Sequence, residues 1–334
     1  MLQELFHIPL PVFLQHLFGR PDLPVYGYGA MLVIGFLIAA QLAKYLARRC
    51  GLDGETFVNA GLLALITGVI GARLSHVLES LADPANQEFA RNGKDAWDNF
   101  KSMLNVSSGG LTFYGGFLLA TPILIWYAIR KKVPLLTGMD IMAPCIMIGL
   151  AFGRIGCYLN GCCYGEECNL SWGAAFPYGS NAFVEQFEKN EIDVPPQLLK
   201  KEPNGRIRLL TKSELQGKPD LERLADSLRA KPVHPTELYS AFNAFFIAAI
   251  LLFFFSVTSA PGRVFALMLM LKGASRYILE MIRVEPPVWF EHSLKLSFSM
   301  GLSLALIALG VFMWWMCGRL RNRAATRGLM VATA

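Results

Sequence analysis

Four ionisable residues stand inside an otherwise apolar stretch, VFALMLMLKGASRYILEMIRVEPP: Lys272, Arg276, Glu280 and Arg283. Steps of four, four and three residues put them along one face of a helix. Charge is costly in such a segment and marks either a function or a structural pair. An Arg276–Glu280 pair alone would lock helices together. Three cations against one carboxylate leave an excess of positive charge, which suits an anionic lipid headgroup facing an internal cavity. A further cation, Arg154, stands in GRIGCYLNGCCYGEEC, close to Gly156, Asn160, Gly161 and Gly165. Its planar fork matches a phosphodiester, and the glycines allow close backbone approach with exposed N–H groups. The structural alternative is a snorkelling arginine followed by a helix-ending glycine loop.

Other polar positions are weaker signals. Gly109, Gly110, Gly115 and Gly116 flank Tyr114 in SSGGLTFYGG, where close helix crossing with an interfacial tyrosine explains the pattern equally well. Arg73 and His76 share a face in GARLSHVLES, Tyr26 and Tyr28 precede an apolar run, and His234 stands in VHPTELY. Cys157, Cys162, Cys163 and Cys168 cluster in sequence, but their spacing is neither the C-x-x-C of redox helices nor a standard zinc knuckle. A disulfide fits that cluster if it faces an oxidising compartment, and no metal is expected.

The elements that must position these residues follow from composition. The chain has 334 residues, 54% hydrophobic and 17% charged, with mean hydropathy +0.40. Soluble domains carry about 25% charged residues, so lipid is the natural solvent for the excess apolar surface. The net charge of +6 does not indicate nucleic acid, because the basic clusters sit at the ends of apolar segments. Apolar runs long enough to span a bilayer lie near Tyr28–Leu46, Phe57–Leu78, Leu111–Ile129, Met139–Leu159, Leu238–Val257, Val264–Met281 and Leu294–Cys317. Arg48 and Arg49, then Arg130 to Lys132, then Arg263, then Arg319 to Arg327 make every second connection basic. Seven spans with the N-terminus outside and the C-terminus in the cytoplasm satisfy that pattern.

The expected fold is therefore an all-α membrane protein, a seven-transmembrane-helix bundle with an extracytoplasmic head or loop insertion. Residues 1–25 read as an N-terminal interfacial segment, a short helix without signal-peptide features. Residues 26–176 hold spans one to four and the glycine-rich loop, 177–232 an outer loop that is either a folded head or a mobile flap, 233–318 spans five to seven, and 319–334 a cytoplasmic tail.

As a set, the segments resemble the prolipoprotein diacylglyceryl transferase family. VYGYGAM, GARLSHVLE, GGLTFYGG, GRIGCYLNGCCYG, VHPTELY and GASRYILEMIR are similar, in order, to its six motifs. The resemblance implies a multi-pass protein of the bacterial inner membrane. It would move diacylglyceryl from phosphatidylglycerol to the lipobox cysteine of a prolipoprotein signal peptide, forming a thioether and releasing glycerol phosphate, with no cofactor. It assigns Arg154 to the phosphate, Arg276 to charge developing on the leaving group, and Glu280 to fixing Arg276. Tyr28, Asn160 and Gly165 would line the headgroup pocket with Arg283 nearby, and His234 and Tyr239 would brace an outer gate. Tyr114 stands where many members have a histidine, Cys157 replaces a signature asparagine, Cys162 a frequent glutamate, and Glu166 a frequent arginine. Tyrosine, with a pKa near 10, is a poor base unless cations assist it. Tyr114 would then position the thiol or accept its proton only with such help, and the arginines would carry most of the catalysis.

Two rivals make different demands. A solute transporter calls for internal repeats and broken helices, and a thiol-redox membrane protein calls for a dithiol that adjacent Cys162 and Cys163 supply poorly.

Overall fold

The computed structural model describes residues 4–9, 22–82, 113–201, 207–215, 217–258, 260–281 and 297–332. Its long elements are helices: α1 (Gly27–Arg49), α2 (Gly54–Ala82), α3 (Phe113–Arg130), α4 (Leu135–Asn160), α8 (Thr236–Val257), α9 (Arg263–Glu280) and α10 (Phe298–Ala332). Between α4 and α8 lie α5 (Asn181–Glu188), a 3-10 turn, β3 (Leu199–Lys201), β4 (Ile207–Leu209), α6 (Lys212–Leu215) and α7 (Pro219–Ser227).

Five helices among the described residues are long and apolar enough to cross a membrane: Gly27–Arg49, Gly54–Ser80, Leu135–Asn160, Thr236–Val257 and Ser299–Arg319. Outward side chains include Phe242 and Phe253 on α8 and Leu118 on the shorter α3, each more than 70% exposed. Apolar surface of that extent is stable only against lipid or another protein. The protein is thus a mostly helical, multi-pass membrane protein. The other two expected spans are also helices, but the apolar part of α3 is short, Gly115–Arg130. Four ionisable residues in α9 depress its hydropathy.

The N-terminal segment departs from expectation. It forms an antiparallel hairpin, β1 (Glu4–Pro9) with β2 (Asp22–Tyr26), in place of a short helix. Pro9 and Pro24 withhold backbone donors, which a helix tolerates only in its first turn, whereas a two-stranded ribbon has two free edges.

Contact density divides the chain into two units, Ala40–Met142 and Met1–Ala39 with Ala143–Ala334. In the first, α2 and α3 cross where a side chain on Gly116 would come within 2.8 Å of the Gly68 carbonyl oxygen. Asp53 caps α2, accepting the N–H groups of Glu55 and Thr56 at 3.1 Å. Together with the Thr56 hydroxyl, these bonds hold the Asp53 carboxyl below its ordinary pKa.

In the second unit, Ala143, Met147, Ile247, Ala248, Leu251, Val264 and Met268 join α4, α8 and α9 in one apolar core. Helices α9 and α10 approach closely: a Cβ on Gly273 would lie 2.8 Å from the Ser303 carbonyl oxygen, and one on Gly310 equally near that of Ala266.

The insertion between α4 and α8 is a folded head with its own core of Phe176, Tyr178, Phe183, Leu198, Leu209 and Val233. Ser180 caps α5 by accepting the Phe183 N–H. The Gln186 amide clamps Lys231 from both sides, accepting its N–H at 2.8 Å and donating to its carbonyl at 3.3 Å. Arg208 and Lys200 bracket Glu214 and hold its carboxyl well below the usual range. Lys189 and Tyr164 do the same, less strongly, for Glu185. A depressed carboxyl adds stability above its unfolded pKa, about 4.3, and that contribution is lost as pH falls through the folded value. Deuterium uptake over 199–215, corrected for intrinsic exchange, should therefore rise on acidification from pH 6 to about pH 3. Unchanged protection would mean that these exposed pairs contribute nothing.

Candidate active site

The site is built around the last turns of α4. Gly161 ends that helix at φ +70°, with its N–H donating to Tyr158 and the Cys162 N–H to Cys157, both at 3.2 Å. This pair of bonds is a Schellman motif, and its left-handed position favours glycine. A Cβ there would also press Phe176 and Ser180 at 3.0–3.1 Å, so the same glycine lets the head sit close to the helix end. One turn earlier Gly156 receives Tyr28 from α1: a Cβ on Gly156 would stand 3.0 Å from the tyrosine ring.

That approach groups several expected site residues. Tyr28 lies within electrostatic range of Arg154 and of Cys157, Cys162 and Cys163. Lys272, largely buried on α9, lies within range of Arg154 and Arg276. Among the described residues neither Arg154 nor Lys272 has a carboxylate partner. Arg276 does have one, an ion pair that brings Nη2 to 2.7 Å from Glu280 Oε2, one helical turn away. Ser297 Oγ donates to Glu280 Oε1 at 3.1 Å, and Arg276 Nη2 reaches Ser299 Oγ at 3.0 Å. Among the described residues Arg154, Lys272 and Arg276 thus stand against the one carboxylate of Glu280, a local net charge of +2 that an anion would balance.

The loop after α4 is stitched to the segment leading into α8. Gly165 donates its N–H to the His234 carbonyl and His234 donates to Glu166, both at 2.9 Å. Thr236 Oγ1 donates to the Cys163 carbonyl at 2.9 Å. The His234 ring meets the Tyr239 hydroxyl at 3.3 Å, and that hydroxyl accepts Trp172 Nε1–H at 2.8 Å. His234, Tyr239 and Trp172 therefore form one chain of contacts where the head joins the bundle. Beside it an apolar groove of about 480 Å³ runs between α8 and α9, lined by Leu238, Tyr239, Phe242, Ser275, Ile278 and Leu279.

Asn160 is exposed at the helix end and bonds the Cys162 thiol. Arg283 and the side chain of Tyr114 lie outside the described residues. Arg73 and His76 belong to the other unit, where Arg73 is buried. The four neighbouring cysteines separate: Cys157, Cys162 and Cys163 converge, while Cys168 is buried elsewhere in the loop. All seven cysteines are thiols in this structure, and the disulfide that an oxidising compartment would allow in the cluster is not formed.

Sequence reasoning passed over Glu237, which is fully buried in the first turn of α8. Its signal was a carboxylate beside His-Pro at a helix start, where the helix dipole favours negative charge. Ser297 and Ser299, which complete the Arg276–Glu280 network, had no signal in spacing.

The chain is similar to known proteins along nearly its whole length. A family model described as prolipoprotein diacylglyceryl transferase matches residues 15–316. A phosphatidylglycerol–prolipoprotein diacylglyceryl transferase of Clostridium tetani is 26% identical over 298 residues, covering 89% of this chain and 95% of the relative. Proteins of the same name from Corynebacterium diphtheriae and Xylella fastidiosa are 27% and 25% identical, covering 85% and 90% of this chain and 86% and 92% of their own lengths. The segments that resembled this family are thus parts of one match along nearly the whole chain, and the protein belongs to the prolipoprotein diacylglyceryl transferase family.

Proposed function

We infer that this chain transfers the diacylglyceryl group of phosphatidylglycerol to the cysteine thiol of a prolipoprotein lipobox, forming a thioether and releasing glycerol phosphate. The observation that carries the reading is Arg154, a guanidinium without a carboxylate partner among the described residues, beside Lys272 and the Arg276–Glu280 pair. Such a cluster is costly in lipid unless an anion completes it, and a phospholipid brings its phosphate at that depth.

In this reading Arg154 holds the phosphodiester through its fork. Arg276, oriented by Glu280, neutralises charge growing on the departing phosphate oxygen, with Arg283 adding to the positive field. Tyr28, Asn160 and Gly165 line the headgroup pocket. His234 and Tyr239 brace the gate between head and bundle, and the apolar groove beside Tyr239 accommodates an acyl chain. Tyr114 orients the acceptor thiol.

The topology proposed is seven spans, counting α3 and α9 with the five longer helices, with the N-terminus and the head outside and the C-terminus in the cytoplasm. Arg49, Arg130, Arg263 and Arg319 support this orientation: each stacks on an aromatic ring, Tyr45, Trp126, Trp314 and Trp315 respectively. The aromatic rings mark a membrane interface, and the excess of Lys and Arg marks it as the cytoplasmic one. The corresponding organisation is an N-terminal interfacial segment to 25, spans one to four to 176, the head at 177–232, spans five to seven to 318, and a tail.

The test is reconstitution with phosphatidylglycerol and a lipobox peptide. Glycerol phosphate should appear only when the peptide carries cysteine, and a serine peptide should give none. Release without the thiol would make the protein a lipase, and no release with any anionic phospholipid would end the transferase reading.

A further inference from the structure

Cys157, Cys162 and Cys163 bring their three sulfur atoms within 4.8 Å of one another. Their spacing matches no metal motif, and the convergence is made by the fold. The Schellman turn at Gly161 returns the chain so that the Cys162 N–H bonds the Cys157 carbonyl. Cys163 then adopts φ +71°, an uncommon conformation for a side-chain-bearing residue, while Thr236 fixes its carbonyl from α8. Backbone held in this region is a recurrent feature of ligand sites.

We propose that these three thiols form a zinc site whose open fourth position takes the acceptor cysteine of the lipid transfer. With Zn–S bonds of about 2.3 Å, sulfurs around zinc stand roughly 3.8–4.0 Å apart. The observed cluster meets that spacing with shifts of less than about 1 Å. Among the described residues no histidine, carboxylate or fourth cysteine joins the three, which is the ligand count of a catalytic zinc with a free position. Cys163 also lines a cleft of about 390 Å³ with Tyr164 and Gly165, so the cluster is reachable from the head. Three thiolates around Zn²⁺ carry a net charge of −1, and Arg154, three residues before Cys157 on the same helix, offsets it.

The chemistry answers a need left by the proposed function, on which this inference rests. The acceptor thiol must lose its proton, Tyr114 is a poor base near neutral pH, and Glu280 is engaged by Arg276 and Ser297. A thiol that coordinates zinc is deprotonated outright, its proton passing to water. The bound thiolate attacks the glycerol carbon that carries the phosphate ester. The C–S bond forms as the C–O bond breaks, and the electron pair leaves on the phosphate oxygen, opposite the arginines. The neutral thioether is a weaker ligand and departs, reopening the fourth position.

Cobalt(II) titration of the reduced wild-type protein in detergent tests the site without turnover. One equivalent should give a thiolate-to-cobalt absorption band in the near ultraviolet. A lipobox cysteine peptide should change the visible cobalt bands, and a serine peptide should not. Cys157→Ser and Cys163→Ser should each weaken metal binding about tenfold or more, whereas Cys50→Ser should not. Stripping zinc from wild type should lower thioether formation at least tenfold, and adding zinc should restore it. No thiolate band, a cobalt spectrum indifferent to the cysteine peptide, or full turnover by metal-free protein would each overturn the proposal, the last leaving the transferase reading intact. Absence of transfer with and without zinc would overturn the transferase reading, and with it the role of the site in lipid transfer, while the cobalt spectrum would still decide whether the cysteines bind metal.

Discussion

Arg154→Ala is expected to lower kcat/KM for phosphatidylglycerol by about 10²–10³, within the roughly 2–5 kcal/mol that truncating one partner of a buried hydrogen-bonded charge pair costs. Most of the loss should appear in KM, because the phosphate bears its charge in the ground state as well as the transition state. Arg154 has no carboxylate partner among the described residues, so its removal leaves no buried acid stranded. It relieves repulsion with Lys272 instead. The variant should therefore fold with wild-type stability, which separates a binding role from a structural one. Arg154→Lys keeps the charge and loses the planar fork, and about a tenfold deficit should remain. Lipid titrations at fixed peptide would measure both. A merely snorkelling Arg154 predicts near-wild-type kinetics for Arg154→Ala and would remove the anchor from the proposed site.

What could be read from the sequence divides along physical lines. Bilayer-length apolar runs depend on local composition: α1, α2, α4 and α8 cover the expected segments, and α10 covers the expected last segment from Phe298 onward. Helix α9 was legible for another reason: its charges recur at helical spacing, so Lys272, Arg276 and Glu280 declare a face even where hydropathy is weak. Non-local pairing was hidden. Nothing near Glu4–Pro9 announces Asp22–Tyr26 as its partner, and a short interfacial helix fitted the same residues. The head's core joins Phe176 to Leu198, Leu209 and Val233, residues from different elements, so the choice between head and flap needed the fold. The cysteines show the limit most clearly. A turn that reverses direction at Gly161 brings residues five and six apart to one point, and spacing rules fitted to other turns do not describe it.

The second large effect is expected at the Arg276–Glu280 pair, where structural and catalytic readings predict different outcomes. Glu280 is 2% exposed and Arg276 24%. Arg276→Ala takes the ion-pair partner from a buried carboxylate that Ser297 also bonds, and breaking such pairs costs about 3–5 kcal/mol. Glu280→Ala takes the carboxylate from the more exposed partner, which Ser299 also contacts, and should fall at the lower end of that range. Either single change will then lower activity whatever the residue does in catalysis. The double variant Arg276→Met/Glu280→Leu removes both charges and fills the space, which is often neutral or stabilising. If the pair only locks α9 in place, that variant should regain both thermal stability and turnover. If Arg276 neutralises the leaving phosphate, stability should return while kcat stays about 10²–10³ below wild type. In that case KM for phosphatidylglycerol should change little, because Arg154 still holds the ground-state anion, the reverse of the split expected for Arg154→Ala.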